Sequence, residues 1–195
     1  MKINLAVGIT GSFCNHEKIL KTLESFNKEK FNLIPVLSKS CITTSTRFGK
    51  SENFIKNVEK ICGKCILSEI NEVEPLAPNG EVDCFLIAPC TGNTLGKLAN
   101  AITDGAVTML AKAMSRNDKP IVIGVSTNDG LGLSLKNIAT LLICRNYYFI
   151  PFGQDDFLKK PKSLVSDWEK TEESVEMALS GKQIQPILLR GDENV

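Results

Sequence analysis

The apolar run Cys84 to Ala88 ends at Pro89. A loop of small hydroxyl and amide residues, Thr91-Gly92-Asn93-Thr94, follows before a helical pattern begins. A run with no polar position has no solvated face, so it reads as a strand covered on both sides. The pattern recurs. Ile3 to Val7 leads into Gly8-Ile9-Thr10-Gly11-Ser12, Leu33 to Leu37 into Ser38-Lys39-Ser40, and Pro120 to Val125 into Ser126-Thr127-Asn128. Helical spacings separate these runs. Strands alternating with helices predict an α/β, doubly wound parallel sheet, a Rossmann-like or flavodoxin-like three-layer sandwich. Right-handed crossovers then place all four polar loops on one edge of the sheet. Open sheets of this kind bind ligands at that edge, where backbone N–H groups at helix N-termini favour phosphate or another polar group.

The rest of the chain fits one domain over residues 1–195, with a C-terminal tail or arm from about residue 181. Ile19, Leu20, Leu23 and Phe26 give one helical face, and Phe54, Ile55, Val58, Ile61 and Cys62 another. Thr43 to Ser51 reads as a loop or short helix, and Cys65 to Leu67 as a short strand. Helices are expected over Thr94–Ala101, Val107–Met114, Leu135–Cys144 and Glu172–Leu179. Tyr147 to Ile150 reads as the last strand, and Pro151-Phe152-Gly153-Gln154-Asp155-Asp156 as a polar loop.

Composition narrows the function. A net charge of +1 and 6% aromatic residues over 195 residues supply neither a basic field nor a stacking platform. Nucleic acid is therefore not expected as a partner. No apolar run reaches the length of a membrane span, and no signal-peptide pattern precedes the strand at Ile3. Seven cysteines and no evident pairing suggest a reducing cytoplasm. Cys62-Gly63-Lys64-Cys65 has the spacing of half a zinc site or a redox pair, and equally of a helix end followed by a short strand. With no second pair, no metal is expected.

The front loop lacks the third glycine of the dinucleotide fingerprint and the Gly-Lys-Ser/Thr of a P-loop. Its glycines allow a tight turn, and Ser12 is a candidate phosphate donor or a plain helix cap. Ser38 and Ser40 read likewise, as does Asn128, a ligand group or a turn residue before Gly130. His16 is a candidate acid or base, or a residue opening a helix. Cys90 is a reactive thiol at a helix N-terminus or a small packing residue. No acid pair or nucleophile–base pair stands at these loops. Their convergence points to a small-molecule site whose chemistry belongs to a bound cofactor, with the catalytic residues unknown.

These residues resemble a known family. Gly8-Ile9-Thr10-Gly11-Ser12, Ser38-Lys39-Ser40 and Pro89-Cys90-Thr91-Gly92-Asn93-Thr94 with Lys97-Leu98-Ala99 are similar to motifs of the homo-oligomeric flavin-containing cysteine decarboxylases and their flavoprotein relatives. Within that family, Pro151 to Asp156 and Lys160-Pro161-Lys162-Ser163-Leu164-Val165 resemble the C-terminal signature of the branch formed by the B components of dipicolinate synthase. The resemblance implies FMN near the boundary between protomers, in trimers or larger homo-oligomers. It assigns cofactor binding to Gly11, Ser12, Phe13, Ser38, Ser40, Pro89, Cys90, Thr91, Gly92, Asn93, Ser126, Thr127 and Asn128.

It further implies an oxidoreductase role in dipicolinic acid synthesis, in the mother-cell cytoplasm of a sporulating bacterium. The partner would be the A component of dipicolinate synthase, a nicotinamide-binding protein that supplies NADP. The small-molecule substrate is a dianion, and Lys39 and Arg47 are cations near these loops that also fit a solvated surface. The decarboxylase branch carries Pro-Ala-Met-Asn where this chain has Val125-Ser126-Thr127-Asn128, and its histidine has no counterpart here. Two alternatives stay open: a flavin-dependent decarboxylase of another small acid, and a non-catalytic flavin or nucleotide module.

Overall fold

The computed structural model describes residues 2–189. In chain order the elements are β1 (Ile3–Ile9), α1 (His16–Ser25), β2 (Phe31–Leu37), α2 (Lys39–Thr43), α3 (Ser51–Cys62), α4 (Ile70–Val73), β3 (Cys84–Cys90) and α5 (Gly92–Ala99). Then come α6 (Ala106–Arg116), β4 (Ile121–Thr127), α7 (Ser134–Leu142), β5 (Tyr147–Phe149), β6 (Phe152–Gly153), β7 (Leu164–Ser166) and α8 (Thr171–Leu179). Strands β2-β1-β3-β4-β5 pair in parallel in that order, the flavodoxin-like arrangement.

Strand periodicity sorts the apolar residues onto two faces. Leu5, Val7 and Ile9 of β1, Cys84, Leu86 and Ala88 of β3 and Val122 of β4 pack with Ile19 and Leu23 of α1, Val58 of α3 and Val175 of α8. Ala6, Phe85, Ile87, Ile121 and Ile123 face the other way, against Leu95 of α5, Leu110 and Met114 of α6, and Ile138 and Leu141 of α7. Both faces of the sheet are covered, which is why the strands carry no polar alternation.

The sheet is not wholly parallel. The N-terminal half of β4 pairs with β5, while Ser126 and Thr127 pair antiparallel with Val165 and Leu164 of β7. β7 in turn pairs with β6. Tyr147 to Phe149 is therefore not the last strand, and the polar stretch after it forms part of an antiparallel hairpin. These strands are too short to show a period in sequence. Ser166 joins the hairpin to the parallel strands. Its buried Oγ accepts from Val125 N at 2.8 Å and donates to Ile150 O at 3.3 Å.

Several boundaries differ from the sequence reading. β3 runs through Pro89 to Cys90, since the proline falls where pairing with β4 shifts register and its missing N–H is not needed. Cys65 to Leu67 forms a single bridge, Leu67 to Val36, rather than a strand. Residues 181–189 lie against the domain. Gln183 exchanges hydrogen bonds with the Phe149 backbone at 2.8 and 2.7 Å, Ile184 is buried, and Leu188 bridges to Phe152. Residues 190–195 of the expected tail lie outside the described residues. Among the described residues no helix is long and apolar enough to cross a membrane.

Ser166→Ala strands the Val125 N–H without its acceptor. It is expected to lower unfolding stability by about 1–3 kcal/mol, the usual cost of a buried unpaired donor. A shift of the urea midpoint at unchanged m-value measures this.

Candidate functional site

In a sheet ordered 2-1-3-4-5 the crevice opens between β1 and β3, whose following connections leave in opposite directions. Thr10, at the end of β1, closes the base of that crevice. Its buried hydroxyl donates to Pro89 O at 2.6 Å and accepts from Thr91 N at 3.1 Å. Two loops distant in sequence are thereby held at a set spacing.

The other strand ends join the same edge. Ser12 Oγ lies 2.6 Å from Ser126 Oγ, which also accepts from Asn15 Nδ2 at 2.8 Å, linking the β1 loop to β4. Ser38 N donates to Ile9 O at 3.0 Å, and Ser38 and Ser40 share a hydrogen bond at 3.0 Å. Gly92 sits so close to β4 that an added Cβ would stand 2.8 Å from both Thr127 Oγ1 and Ser134 Oγ. Gly11 is similarly placed, 2.9 Å from Ser40 Oγ.

Thr91 caps α5, its Oγ1 accepting from Thr94 N at 3.2 Å. The N–H groups of Gly92 and Asn93, the first of that helix, have no partner among the described residues. The same holds for Gly11, Phe13, Lys39 and Ser40. Unpaired donors from three strand ends, with the Asn93 amide and the Ser38 and Ser40 hydroxyls, suit a ligand carrying phosphate and polar ring edges. The donor set therefore fits FMN.

The assigned residues play different parts. Ser12 and Ser126 hydrogen-bond each other. Pro89 and Cys90 are strand residues, and the Cys90 side chain is fully buried among apolar neighbours, with its thiol pushed well above the ordinary range by that burial. Cys90 thus gives the edge only its backbone. The Phe13 ring turns against His16, at 5.1 Å between centroids. Thr127 Oγ1 accepts from Asp129 N at 3.2 Å, and Asn128 occupies the exposed turn between them. Thr10 and Asn15, which hold the loops together, stand outside the set that sequence reasoning selects. Their one signal is a polar residue between a strand and the helix that follows it.

His16 opens α1 and is 8% exposed. Its Nε2 donates to Thr10 O at 3.0 Å, and the ring stacks on Phe54 at 4.1 Å. Burial lowers its pKa, partly opposed by the Thr10 carbonyl. Cys62 closes α3, Gly63 caps it at φ +66°, and burial pushes the Cys62 thiol up to about 11. The Cys-x-x-Cys spacing here is that of a helix end.

The fold and this edge define a class, and comparison with known proteins agrees: the Flavoprotein family matches residues 1–140, and the chain belongs to that family. It is 43% identical over 185 residues to the dipicolinate synthase B component of Bacillus subtilis (strain 168), covering 95% of this chain and 92% of that protein. The crystal structure of the dipicolinate synthase B component from Bacillus halodurans superposes with a TM-score of 0.88 at 41% identity, over 97% of this chain and 99% of that one. A more distant structure shares the fold. It is the dodecameric FMN-dependent Ubix-like decarboxylase from Escherichia coli O157:H7, with a TM-score of 0.60 and 18% identity over 76% of this chain and 80% of that one.

Folding holds His16 below its ordinary value of 6.5, so the unfolded chain binds that proton more tightly. Its contribution to stability is present above pH 6.5 and is lost as pH falls below that value. The unfolding free energy is expected to fall from pH 7 to pH 5, and His16→Gln to flatten that slope. Denaturant melts across this range check both.

Proposed function

We propose that this chain is the FMN-binding B component of a dipicolinate synthase. It oxidises a dihydrodipicolinate-level precursor to dipicolinic acid together with a nicotinamide-binding A component. The observation that carries the reading is near-complete coverage of B-component relatives at over 40% identity, joined to an edge whose unpaired donors suit one phosphate. The front loop lacks the third glycine of a dinucleotide fingerprint, which favours FMN over FAD. FMN supplies a two-electron acceptor when bound.

The protein's own contribution is to hold and orient. Backbone N–H groups of Gly11 and Phe13, with Ser38 and Ser40, would take the phosphate and ribityl groups. Gly92 and Asn93 would bind a polar ring edge at the N-terminus of α5. Thr127 and Asn128 would line the substrate side. The hairpin carrying β6 and β7 covers the flank of β4 and excludes water there. The distant decarboxylase is FMN-dependent and dodecameric, which supports both the cofactor and a homo-oligomer for this chain. The setting is the cytoplasm of a sporulating mother cell, with NADP entering through the partner.

Reconstitution tests the reading. The chain is expected to take up FMN, to make little dipicolinate alone, and to turn over repeatedly once mixed with the A component. No flavin uptake, or full multiple turnover by this chain alone, would refute it.

Asn93→Ala removes one side-chain amide from the ring edge. It is expected to weaken FMN binding roughly fivefold to tenfold, about 1–1.4 kcal/mol, with little change in the unfolding midpoint. Flavin fluorescence titration measures the affinity. An unaltered value would remove Asn93 from the site.

A further inference from the structure

A cavity of about 440 Å³ lies between α5, α6 and α7, beside the first residue of β5. No residue placed on the ligand edge lines it. That edge meets the N-terminus of α5. The cavity meets its C-terminal end, where Leu98, Ala99 and Ala101 form one wall. Leu141 of α7 and the Tyr147 ring complete an apolar floor. The volume is within the range of small-ligand sites.

Two features give this cavity a chemical preference. The first is charge. Lys112 and Arg116 line it one turn apart on α6 and make no ion pair among the described residues. Like charges at that spacing on a helix repel, and the lining holds no acid to offset them. Asp104, at the entry to α6, already pairs with Lys97 at 2.8 Å. Asp118, just past the end of α6, accepts from Asn146 Nδ2 at 3.4 Å. Burial pushes the Tyr147 phenol up to about 12, so it stays neutral and adds no negative charge. The field in the cavity is positive.

The second feature is strain. Ala101 takes φ +56°, in the left-handed region that disfavours a side chain. It sits where a helix ending usually carries glycine: Ala101 N donates to Leu98 O at 3.2 Å, and Ile102 N to Lys97 O at 2.9 Å. Alanine stands there instead, and it lines the cavity. Backbone strain of this kind collects at ligand sites.

We propose that this cavity is a second ligand site, taking a monocarboxylate on a compact apolar body. Lys112 and Arg116 hold the carboxylate, the planar Arg116 fork matching its two oxygens. Leu98, Ala101, Leu141 and the Tyr147 ring take the body. The eight residues of α5, roughly 12 Å of helix, separate the site from the ligand edge, so the two can be filled together. The site stands apart from the function proposed above.

The probe is 2-naphthoate, with naphthalene-2-carboxamide as the same shape without the charge. The full chain, with and without FMN, is titrated with each by calorimetry. Saturable naphthoate binding is expected in both forms, about tenfold weaker in K112Q and in R116Q. The amide is expected to bind about tenfold more weakly than the acid. A101G is expected to raise the unfolding midpoint by relieving the strain, and to weaken naphthoate binding about threefold by removing a methyl from the wall. Cys144 lines the cavity with its thiol exposed, whereas the exposed Cys65 does not line it. Saturating naphthoate is therefore expected to abolish iodoacetamide alkylation of Cys144 and to leave Cys65 reactive, as read by peptide mass spectrometry. Unchanged unfolding midpoints in K112Q and R116Q show that both fold. No saturable binding, undiminished binding in both charge variants, equal affinity for the amide, or an unprotected Cys144 overturns the proposal. Loss of naphthoate binding on adding FMN puts the probe on the ligand edge and equally overturns it. A chain that takes naphthoate in this way but no FMN refutes the proposed function and leaves this site standing.

Discussion

One hydroxyl sets the geometry of the ligand edge. Thr10 is 1% exposed, donates to the carbonyl at the end of β3, and accepts the first N–H beyond it. A buried hydroxyl is costly unless its hydrogen-bonding capacity is met, and here both of its partners belong to one distant strand end, Pro89 and Thr91. The crevice between β1 and β3 is thus braced from inside. Ser126 repeats the device one strand further on, where Ser12 and Asn15 meet a single oxygen. Hydrogen bonds, rather than helix packing, hold these loops in register.

The core strands are legible in the sequence because burial on both faces leaves an uninterrupted apolar run, as in Ile3 to Val7 and Cys84 to Ala88. Their shared ligand edge follows from crossover handedness and alternation. The hairpin is not legible. β6 has two residues and β7 three, and their place depends on Ser166 reaching Val125 N. That contact spans 41 positions of sequence. Local patterning carries no trace of such a bond.

The site divides in the same way. Gly92, Thr91 and Asn93 can be read from type and position, since a helix N-terminus after a strand prefers a cap and small residues. Ser12 and Ser126 read as ligand groups by the same logic, and in the structure their hydroxyls also hydrogen-bond each other. Cys90 is ambiguous in sequence between a loop thiol and a packing residue. One further residue of strand after Pro89 resolves it, by carrying the side chain into the core. Arg47 in sequence fits a solvated surface. Only the folded turn shows it resting on the Phe48 ring.

The bracing of the strand ends has a calorimetric consequence. Ordering flexible loops on binding consumes part of the interaction energy and lowers heat capacity beyond what the contacts themselves remove. Here the β1, β3 and β4 ends are held by bonds internal to the chain. A ligand settling on this edge meets donors already aimed, so little of its binding enthalpy is offset by the entropy of arranging them. The heat-capacity change of association should then reflect the ligand's own buried surface and little else.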